Sequence, residues 1–224
     1  MCLAHYKAYA FYKVYQAIYN FATVDLSSIY FDILKDRLYT HSTKSQSRRS
    51  AQTALYRVTN ALLHLTAPIL AFTCEEAWAA FPKAQGDHDT IHVGVFPKPA
   101  DLTHGITPNQ LGRLANWDRL LAFRDLTRPA LEKSQIGASL TAKLVLTVTQ
   151  DDFDLLTTYS HKLPAIFITS QVELKFGEAT QVEVLPADGS KCERCWKFTL
   201  DVGSDPKFPT ACAACASAVT EMLA

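Results

Sequence analysis

Apolar residues recur at steps of three and four through the first 82 residues, which is the period of one face of an α-helix. The clearest repeats are Phe11, Val14, Ile18 and Phe21, then Leu26, Ile29 and Ile33, then Leu55, Val58, Leu62, Leu65, Ile69 and Phe72. The polar stretch 39–47 predicts a loop, and Pro68 predicts a helix boundary with Thr66 capping the next helix. This pattern predicts a helical bundle whose apolar stripes form its core.

Glycine and proline crowd residues 83–110 and predict an irregular connector. We expect this connector to cross the surface of the bundle, because it carries apolar side chains to bury: Ile91, Val93, Val95 and Phe96. The helical period then returns from Leu111 towards Leu131.

After Gly137 the pattern changes to short apolar runs at 144–148, 172–176 and 182–185, which predict strands. Asp151 is a candidate N-cap for a short helix between the first two runs. The predicted fold class is therefore mainly α, with a helical bundle, a small α+β domain and a C-terminal cysteine module. The expected domain ranges are 1–110, 111–187 and 188–224.

Four cysteines near the end of the chain have the spacing C-x2-C-x16-C-x2-C. Each C-x-x-C turn places two sulfurs on one side of a metal, and two such turns complete a tetrahedron with Zn–S distances of about 2.3 Å. The alternative is a pair of buried disulfides. The predicted ligands of one structural Zn²⁺ are Cys192, Cys195, Cys212 and Cys215, and four thiolates leave no open position for catalysis.

Composition narrows the choice of compartment and partner. The six cysteines occur without a secretory signal, which favours a reducing, cytoplasmic setting in which clustered thiols bind metal. Basic and acidic residues number 22 each, so the net charge predicts no polyanionic partner. The longest uncharged run, 58–74, is too short to cross a membrane comfortably.

Catalytic motifs do not occur: the sequence has no glycine-rich phosphate loop, no G-x-S-x-G and no HExxH. Charge is more informative locally, since residues 31–60 carry six basic side chains against two acidic ones. Aromatic residues are interleaved with this basic segment, a combination that suits single-stranded RNA loops. A solvated helix end and loop would show the same charge, so both interpretations stay open at this point.

Three segments carry a resemblance to a known family: 31–39 (FDILKDRLY), 48–55 (RRSAQTAL) and 67–78 (APILAFTCEEAW). They resemble the anticodon-binding helical domain that class I aminoacyl-tRNA synthetases for isoleucine, valine, leucine and methionine share. The C-terminal part of the chain distinguishes among these enzymes. It is similar to the C-terminal region of bacterial-type isoleucyl-tRNA synthetases in three segments: IGASLTA at 136–142, CERCW at 192–196 and CAAC at 212–215.

The resemblance implies a part of an enzyme that joins isoleucine to tRNA-Ile using ATP. The HIGH and KMSKS signatures of the catalytic domain do not occur, so ATP is expected only in a catalytic domain that this sequence lacks. The chain alone would bind tRNA and activate nothing. The implied partners are tRNA-Ile and the rest of the synthetase in cis, with no DNA and no membrane, in a cytoplasmic monomer.

The resemblance also implies site residues, position by position. Lys35 and Arg37 match the end of the helix that faces the anticodon loop, and Arg48 and Arg49 match the start of the next helix near the anticodon stem-loop. Trp196 matches a tryptophan that lies beside the zinc and near the tRNA. The four cysteines match the zinc ligands.

Other interpretations remain. Lys35 and Arg37 could form only ion pairs with Asp32 or Asp36. The whole chain could be a zinc-containing protein-interaction adaptor with no RNA partner. The tail could also be the zinc finger of a DNA-repair glycosylase, although the bundle offers no counterpart to the nucleophile and acid of that chemistry.

Overall fold

The computed structural model describes residues 1–223, and it confirms a mainly α-helical fold with a small α+β part. The first helices are α1 (Cys2–Lys7), α2 (Phe11–Asn20), a π-helix (Phe21–Tyr30), α3 (Phe31–Tyr39), α4 (Gln46–Thr66) and α5 (Ala71–Ala80). A 3₁₀-helix (Ile91–Val93), α6 (Pro99–Thr103), α7 (Pro108–Gly112), a second 3₁₀-helix (Arg113–Asn116) and α8 (Trp117–Lys133) follow.

The rest of the chain contains the strands. The elements are a 3₁₀-helix (Ser139–Thr141), β1 (Ala142–Val148), α9 (Gln150–Thr158), a 3₁₀-helix (Ser160–Lys162), α10 (Leu163–Phe167), β2 (Gln171–Phe176), β3 (Gln181–Pro186), β4 (Ser190–Lys191), β5 (Phe198–Thr199) and α11 (Ala213–Leu223). Within residues 1–223, no helix combines the length and the apolar character needed to cross a membrane.

By packing, the chain forms two compact units. The first consists of Met1–Phe31 with Arg49–Ile106, and the second consists of Asp32–Arg48 with the residues from Thr107 onward. The boundary places α3, apart from its first residue, in the same unit as the sheet and the cysteine module.

The core of the first unit centres on Trp78 in α5. Its ring is buried together with Ala67, Cys74 and Ile91. Its indole Nε1 donates a hydrogen bond to the carbonyl of His88 at 2.9 Å, so the polar atom of this large side chain is satisfied. The contact fixes the start of the connector against α5.

The connector buries less than the sequence predicts. Ile91 is buried, and Phe96 stacks on Tyr6 with ring centroids 5.0 Å apart. Val93 and Val95 are exposed, contrary to expectation. Val93 shares a 3₁₀ turn with Ile91, and with three residues per turn, residues two apart point in different directions.

The apolar stripe expected at the N-terminus is only partly a core. Val14 and Leu26 are buried, whereas Phe11 and Phe21 are exposed. The π-helix explains part of this difference. Its hydrogen bonds run from residue i to residue i+5, so side chains spaced by three and four residues no longer lie on one face.

The helix boundary near Pro68 also differs from the prediction. The fourth helix ends at Thr66, but the next helix begins at Ala71 rather than in the turn that contains Pro68. Thr66 is not its cap, because the Thr66 hydroxyl donates back to the carbonyl of Leu62 at 2.6 Å. Serine and threonine often bond to the carbonyl four residues earlier in this way.

The sheet of the second unit has the order β2-β1-β3. The central strand β1 pairs in parallel with β2 and antiparallel with β3, and α9 and α10 form the crossover that a parallel pair needs. All three strands lie where the sequence predicts them. The buried core of this unit consists of Leu120, Phe123, Leu144, Leu146, Val148, Leu156, Leu163, Ile166 and Phe167.

The predicted cap of α9 is wrong by two residues. The N-cap is Thr149, and Asp151 already lies inside the first turn. A carboxylate there still faces the positive end of the helix dipole favourably.

The cysteine module follows the sheet through a tight turn at Gly189. Gly189 has φ +90°, and a Cβ at this position would lie 2.3 Å from the carbonyl oxygen of Thr199. Strands β4 and β5 then form a short antiparallel hairpin that pairs Ser190 with Thr199 and Lys191 with Phe198.

Polar contacts attach this module to the edge of the sheet. The side-chain amide of Gln171 accepts from the backbone N–H of Asp188 and donates to its carbonyl, both at 2.9 Å. The backbone N–H of Phe198 donates to Ser170 Oγ at 2.8 Å. The hairpin is therefore held to β2 at two points.

Candidate metal centre and nucleic-acid interface

The structure brings the four cysteines of the predicted site together. Their sulfur atoms all lie within 4.8 Å of one another, and three of the four residues are buried. The Sγ atoms of Cys195 and Cys212 are 3.9 Å apart. A tetrahedron with Zn–S bonds of about 2.3 Å has edges of about 3.8 Å, so the spacing fits zinc. A disulfide would need about 2.05 Å.

Local backbone geometry places each pair. Cys192 and Cys195 lie on the first cysteine turn (residues 192–197), which connects β4 to β5 and is closed by hydrogen bonds from Cys192 N–H to Lys197 C=O at 2.8 Å and from Trp196 N–H to Cys192 C=O at 2.9 Å. Cys212 directly precedes α11, and Cys215 lies in its first turn.

The electrostatics of the cluster also fit a divalent cation. Burial raises the pKa of the Cys192 thiol, but backbone N–H groups of Cys195, Cys212 and Arg194 outweigh it and lower that pKa to about 6. Burial and the neighbouring cysteines raise the pKa of Cys212 to about 11, and they raise that of Cys195 as well. Four thiolates cannot share this space without a cation, and a thiolate-binding metal would remove the conflict.

Trp196 stands out from the first cysteine turn. Its backbone has φ 65°, in the left-handed region that bulky residues rarely adopt, and its side chain is 62% exposed. The Lys191 ammonium lies 5.8 Å from the centre of the indole ring. The turn thus presents an aromatic face and a cation to solvent.

The predicted RNA-binding residues of α3 differ in their contacts. The Lys35 ammonium donates to the Asp32 carboxylate at 2.7 Å, but its side chain remains 68% exposed. That hydrogen bond raises the pKa of Lys35, so the residue is cationic at neutral pH. Arg37 is half-buried and has no hydrogen bond or ion pair within residues 1–223.

The arginines at the start of α4 lie elsewhere. The Arg48 guanidinium donates to the carbonyl of His41 at 3.0 Å, which leaves it half-buried. Arg49 is exposed and belongs to the first unit.

The first cysteine turn packs on the C-terminal end of α3. The Arg194 guanidinium donates to the carbonyl oxygens of Thr40 and Tyr39. The Lys197 ammonium donates to the Asp36 carboxylate at 2.6 Å. Burial alone would raise the pKa of the Asp36 carboxyl, but Lys197 and the hydrogen bonds from Lys197 and Thr40 hold it below its usual value.

A cavity of about 510 Å³ opens between α3, residues 138–140, α10 and the first cysteine turn. We call it the α3 cleft. Two of the predicted RNA-binding residues, Lys35 and Trp196, line it together with Tyr39, whereas among the described residues Arg37 and Arg48 are not part of its lining. Its volume is in the range typical of ligand pockets.

Sequence patterns did not reveal the contacts that build this cleft. Arg194 and Lys197 are visible as basic residues beside Trp196, but nothing local indicates that they bind α3. Arg124 is another such residue: it is only 7% exposed, and it donates to the carbonyl of Ile166 and to the Asp32 carboxylate. The sequence signal that could have identified Arg124 as a buried, paired residue is its position among the periodic apolar residues of α8.

Comparison with known protein families defines the class of this chain. The family described as "anticodon-binding domain of tRNA ligase" matches residues 2–146, and the chain belongs to this family. Residues 189–218 match a second description, "zinc finger found in FPG and IleRS". This range contains all four clustered cysteines.

Three curated relatives are isoleucine-tRNA ligases. The chain is 40% identical to the isoleucine-tRNA ligase of Carboxydothermus hydrogenoformans over 97% of its length, which is 24% of that relative. It is 43% identical to the enzyme of Methylacidiphilum infernorum and 39% identical to that of Symbiobacterium thermophilum, over 95% and 97% of the chain. The chain spans about a quarter of the length of these relatives.

These matches confirm the resemblance to a C-terminal region of isoleucine-tRNA ligases, and they do not favour the adaptor interpretation. The assignment of individual residues to RNA or to zinc stays a prediction.

Proposed function

We propose that this chain is the part of an isoleucine-tRNA ligase that binds the anticodon stem-loop of tRNA-Ile, and that its cysteine cluster holds one structural Zn²⁺. The observation that carries the proposal is the α3 cleft, where Lys35 and Trp196 line one cavity in a chain of the anticodon-binding family. Amino-acid activation with ATP would belong to other parts of such an enzyme.

The chemistry of the cleft suits an unstacked RNA loop. Sequence-specific RNA readers bind splayed bases by stacking them on aromatic rings and contacting their edges and phosphates with basic side chains. The exposed rings of Trp196 and Tyr39 supply stacking faces. The exposed Lys35 ammonium keeps donors available after its bond to Asp32, since an ammonium carries three.

Backbone strain at Trp196 supports a functional role. A tryptophan with φ 65° lowers stability by on the order of 1 kcal/mol relative to glycine in the same place. Because its ring is largely exposed, burial of the ring offsets little of this cost. Strained residues of this kind concentrate at ligand-binding sites.

Zinc would act on folding here and not on chemistry. Four cysteine ligands fill its tetrahedron, so no position is left for water or substrate. The ion would join the first cysteine turn to the start of α11 and thereby fix the loop between them.

The test is a binding assay with the full 224-residue chain, a tRNA-Ile transcript and the same transcript with a changed anticodon. We expect tighter binding of the unchanged transcript. The Lys35→Glu variant should lose roughly tenfold in affinity and about one unit of the slope of log affinity against log salt.

Lys133→Glu is the matched control, because Lys133 is also an exposed helical lysine but lies outside the α3 cleft. Its affinity should stay within about twofold of the wild-type value, as for surface charges remote from a site. Equal affinity for the two transcripts at every salt concentration would overturn the proposed function.

A further inference from the structure

The C-terminal end of α3 is held from outside the helix. The last carbonyls of an α-helix lack partners within it, and they carry partial negative charge. The Arg194 guanidinium donates to two carbonyls at this end, those of Tyr39 and Thr40. A planar guanidinium with several donors suits this role better than an ammonium does.

One turn earlier, α3 is held a second time. Asp36 and Lys197 form an ion pair at 2.6 Å, and their side chains are only 24% and 22% exposed. Pairs shielded to this degree are less weakened by salt than those at the open surface. Both cations belong to the first cysteine turn, so one loop contacts two successive turns of α3.

The first cysteine turn is itself anchored. Gln171 and Ser170 bind the hairpin to the edge of the sheet. The guanidinium of Arg194 also lies 3.5 Å from Cys215 Sγ, a predicted metal ligand on α11. A continuous set of contacts therefore runs from the cysteine cluster to the end of α3.

We propose that Arg194 and Lys197 are positioning residues for RNA binding: they fix the C-terminal half of α3 so that Lys35 and Trp196 face the same cleft. The ligand, an RNA loop, rests on the proposed function. Both residues also line the α3 cleft, but the positioning role does not require either of them to contact the RNA. A metal ion bound by the cysteine cluster would support this arrangement, because it would hold the loop from which both cations project.

The first test measures RNA affinity and metal content together. Lys197→Met keeps the length of the side chain and removes its charge. Arg194→Gln keeps a polar side chain and removes the guanidinium. Each variant should bind the tRNA-Ile transcript about tenfold more weakly while retaining the zinc content of the wild type. Arg194→Lys should recover part of the loss, since an ammonium still bonds helix carbonyls.

Lys207→Met is the matched control, because Lys207 is exposed and lies in the same module, away from α3. It should leave affinity unchanged. The Asp36→Asn variant completes a double-mutant cycle with Lys197→Met. If the two residues act as a pair, the double variant should lose no more affinity than either single variant.

The second test does not involve RNA. The Thr40 amide donates to the carbonyl of Asp36 at 2.9 Å, so its hydrogen exchange reports the last turn of α3. Exchange at residues 36–40 should accelerate in Arg194→Gln and in Lys197→Met, and chelation of zinc should accelerate it in the wild type.

The outcomes separate the two proposals. Wild-type protein that binds no tRNA would end the proposed function, and the exchange data alone would then decide whether α3 is held as described. Variants with wild-type affinity, with unchanged exchange at residues 36–40, or with lost zinc would overturn the positioning role.

Discussion

The Asp32 carboxylate is shared by two cations: the Arg124 guanidinium lies 3.4 Å from it, and the Lys35 ammonium lies 2.7 Å from it. Arg124 is nearly fully buried on α8, whereas Lys35 is exposed in the α3 cleft. The N-terminal part of α3 is thus tied to the core of the second unit by the same group that orients a predicted RNA-binding residue.

Removal of the Asp32 charge should destabilise the second unit. Asp32→Asn keeps the shape of the side chain but leaves the buried Arg124 without a carboxylate, which costs about 1–3 kcal/mol of unfolding free energy. Urea unfolding measures this value. The control is Asp125→Asn, at an exposed residue next to Arg124 on α8, and it should change stability by less than about 0.5 kcal/mol. Equal effects of the two substitutions would contradict the assignment.

The Asp36 pair should make stability depend on pH. The pKa of the Asp36 carboxyl is lower in the folded protein than its ordinary value of 3.8. Its contribution is therefore complete above the unfolded pKa, and it is lost as the pH falls through the folded pKa. The stability difference between wild type and Asp36→Asn should shrink between pH 7 and pH 3 in urea unfolding. A difference that grows on acidification would refute this.

Chelation of zinc should loosen the tail selectively. Metal binding and ordering of such a module are one event, so EDTA should expose residues 189–218 to protease. The first unit should remain resistant, because its core around Trp78 lies outside the module. Limited proteolysis with mass spectrometry measures both. A tail that is equally resistant before and after chelation would argue against a structural metal.

Substitutions at Trp196 should separate stability from binding. Trp196→Gly relieves the strained φ and should leave stability unchanged or raise it by up to about 1 kcal/mol. The same change removes a stacking surface, which should cost about 1–3 kcal/mol of RNA binding. Trp196→Phe should retain most of the affinity. Denaturant unfolding and filter binding give the two values, and a glycine variant with undiminished affinity would exclude stacking on this ring.

Features that depend on near neighbours were predictable from the sequence. The cysteine pairs form a cluster because each C-x-x-C turn sets its own geometry, and β1 follows from the apolar run at 144–148. The sequence-based predictions were wrong where two local hydrogen-bonding arrangements compete. Thr66 bonds back into its own helix instead of capping the next one, and α9 begins early enough to make Thr149 its cap.

The contacts that shape the α3 cleft could not be predicted from the sequence, for a different reason. Asp36 and Lys197 are 161 positions apart, and Asp32 and Arg124 are 92 apart. Periodicity and spacing describe neighbours along the chain, so they cannot pair charges over such separations. The π-helix was missed as well, because its apolar residues still occur at intervals that suit an ordinary α-helix.

The link between Arg194 and Thr40 has a consequence for biosynthesis. Thr40 leaves the ribosome 154 residues before the arginine that holds it, a delay of about 8–30 s at ordinary rates of elongation. During this interval, the carbonyls at the C-terminal end of α3 lack the hydrogen bonds from Arg194. A nascent or truncated polypeptide that stops short of Arg194 would therefore present α3 without the contacts that hold its C-terminal end.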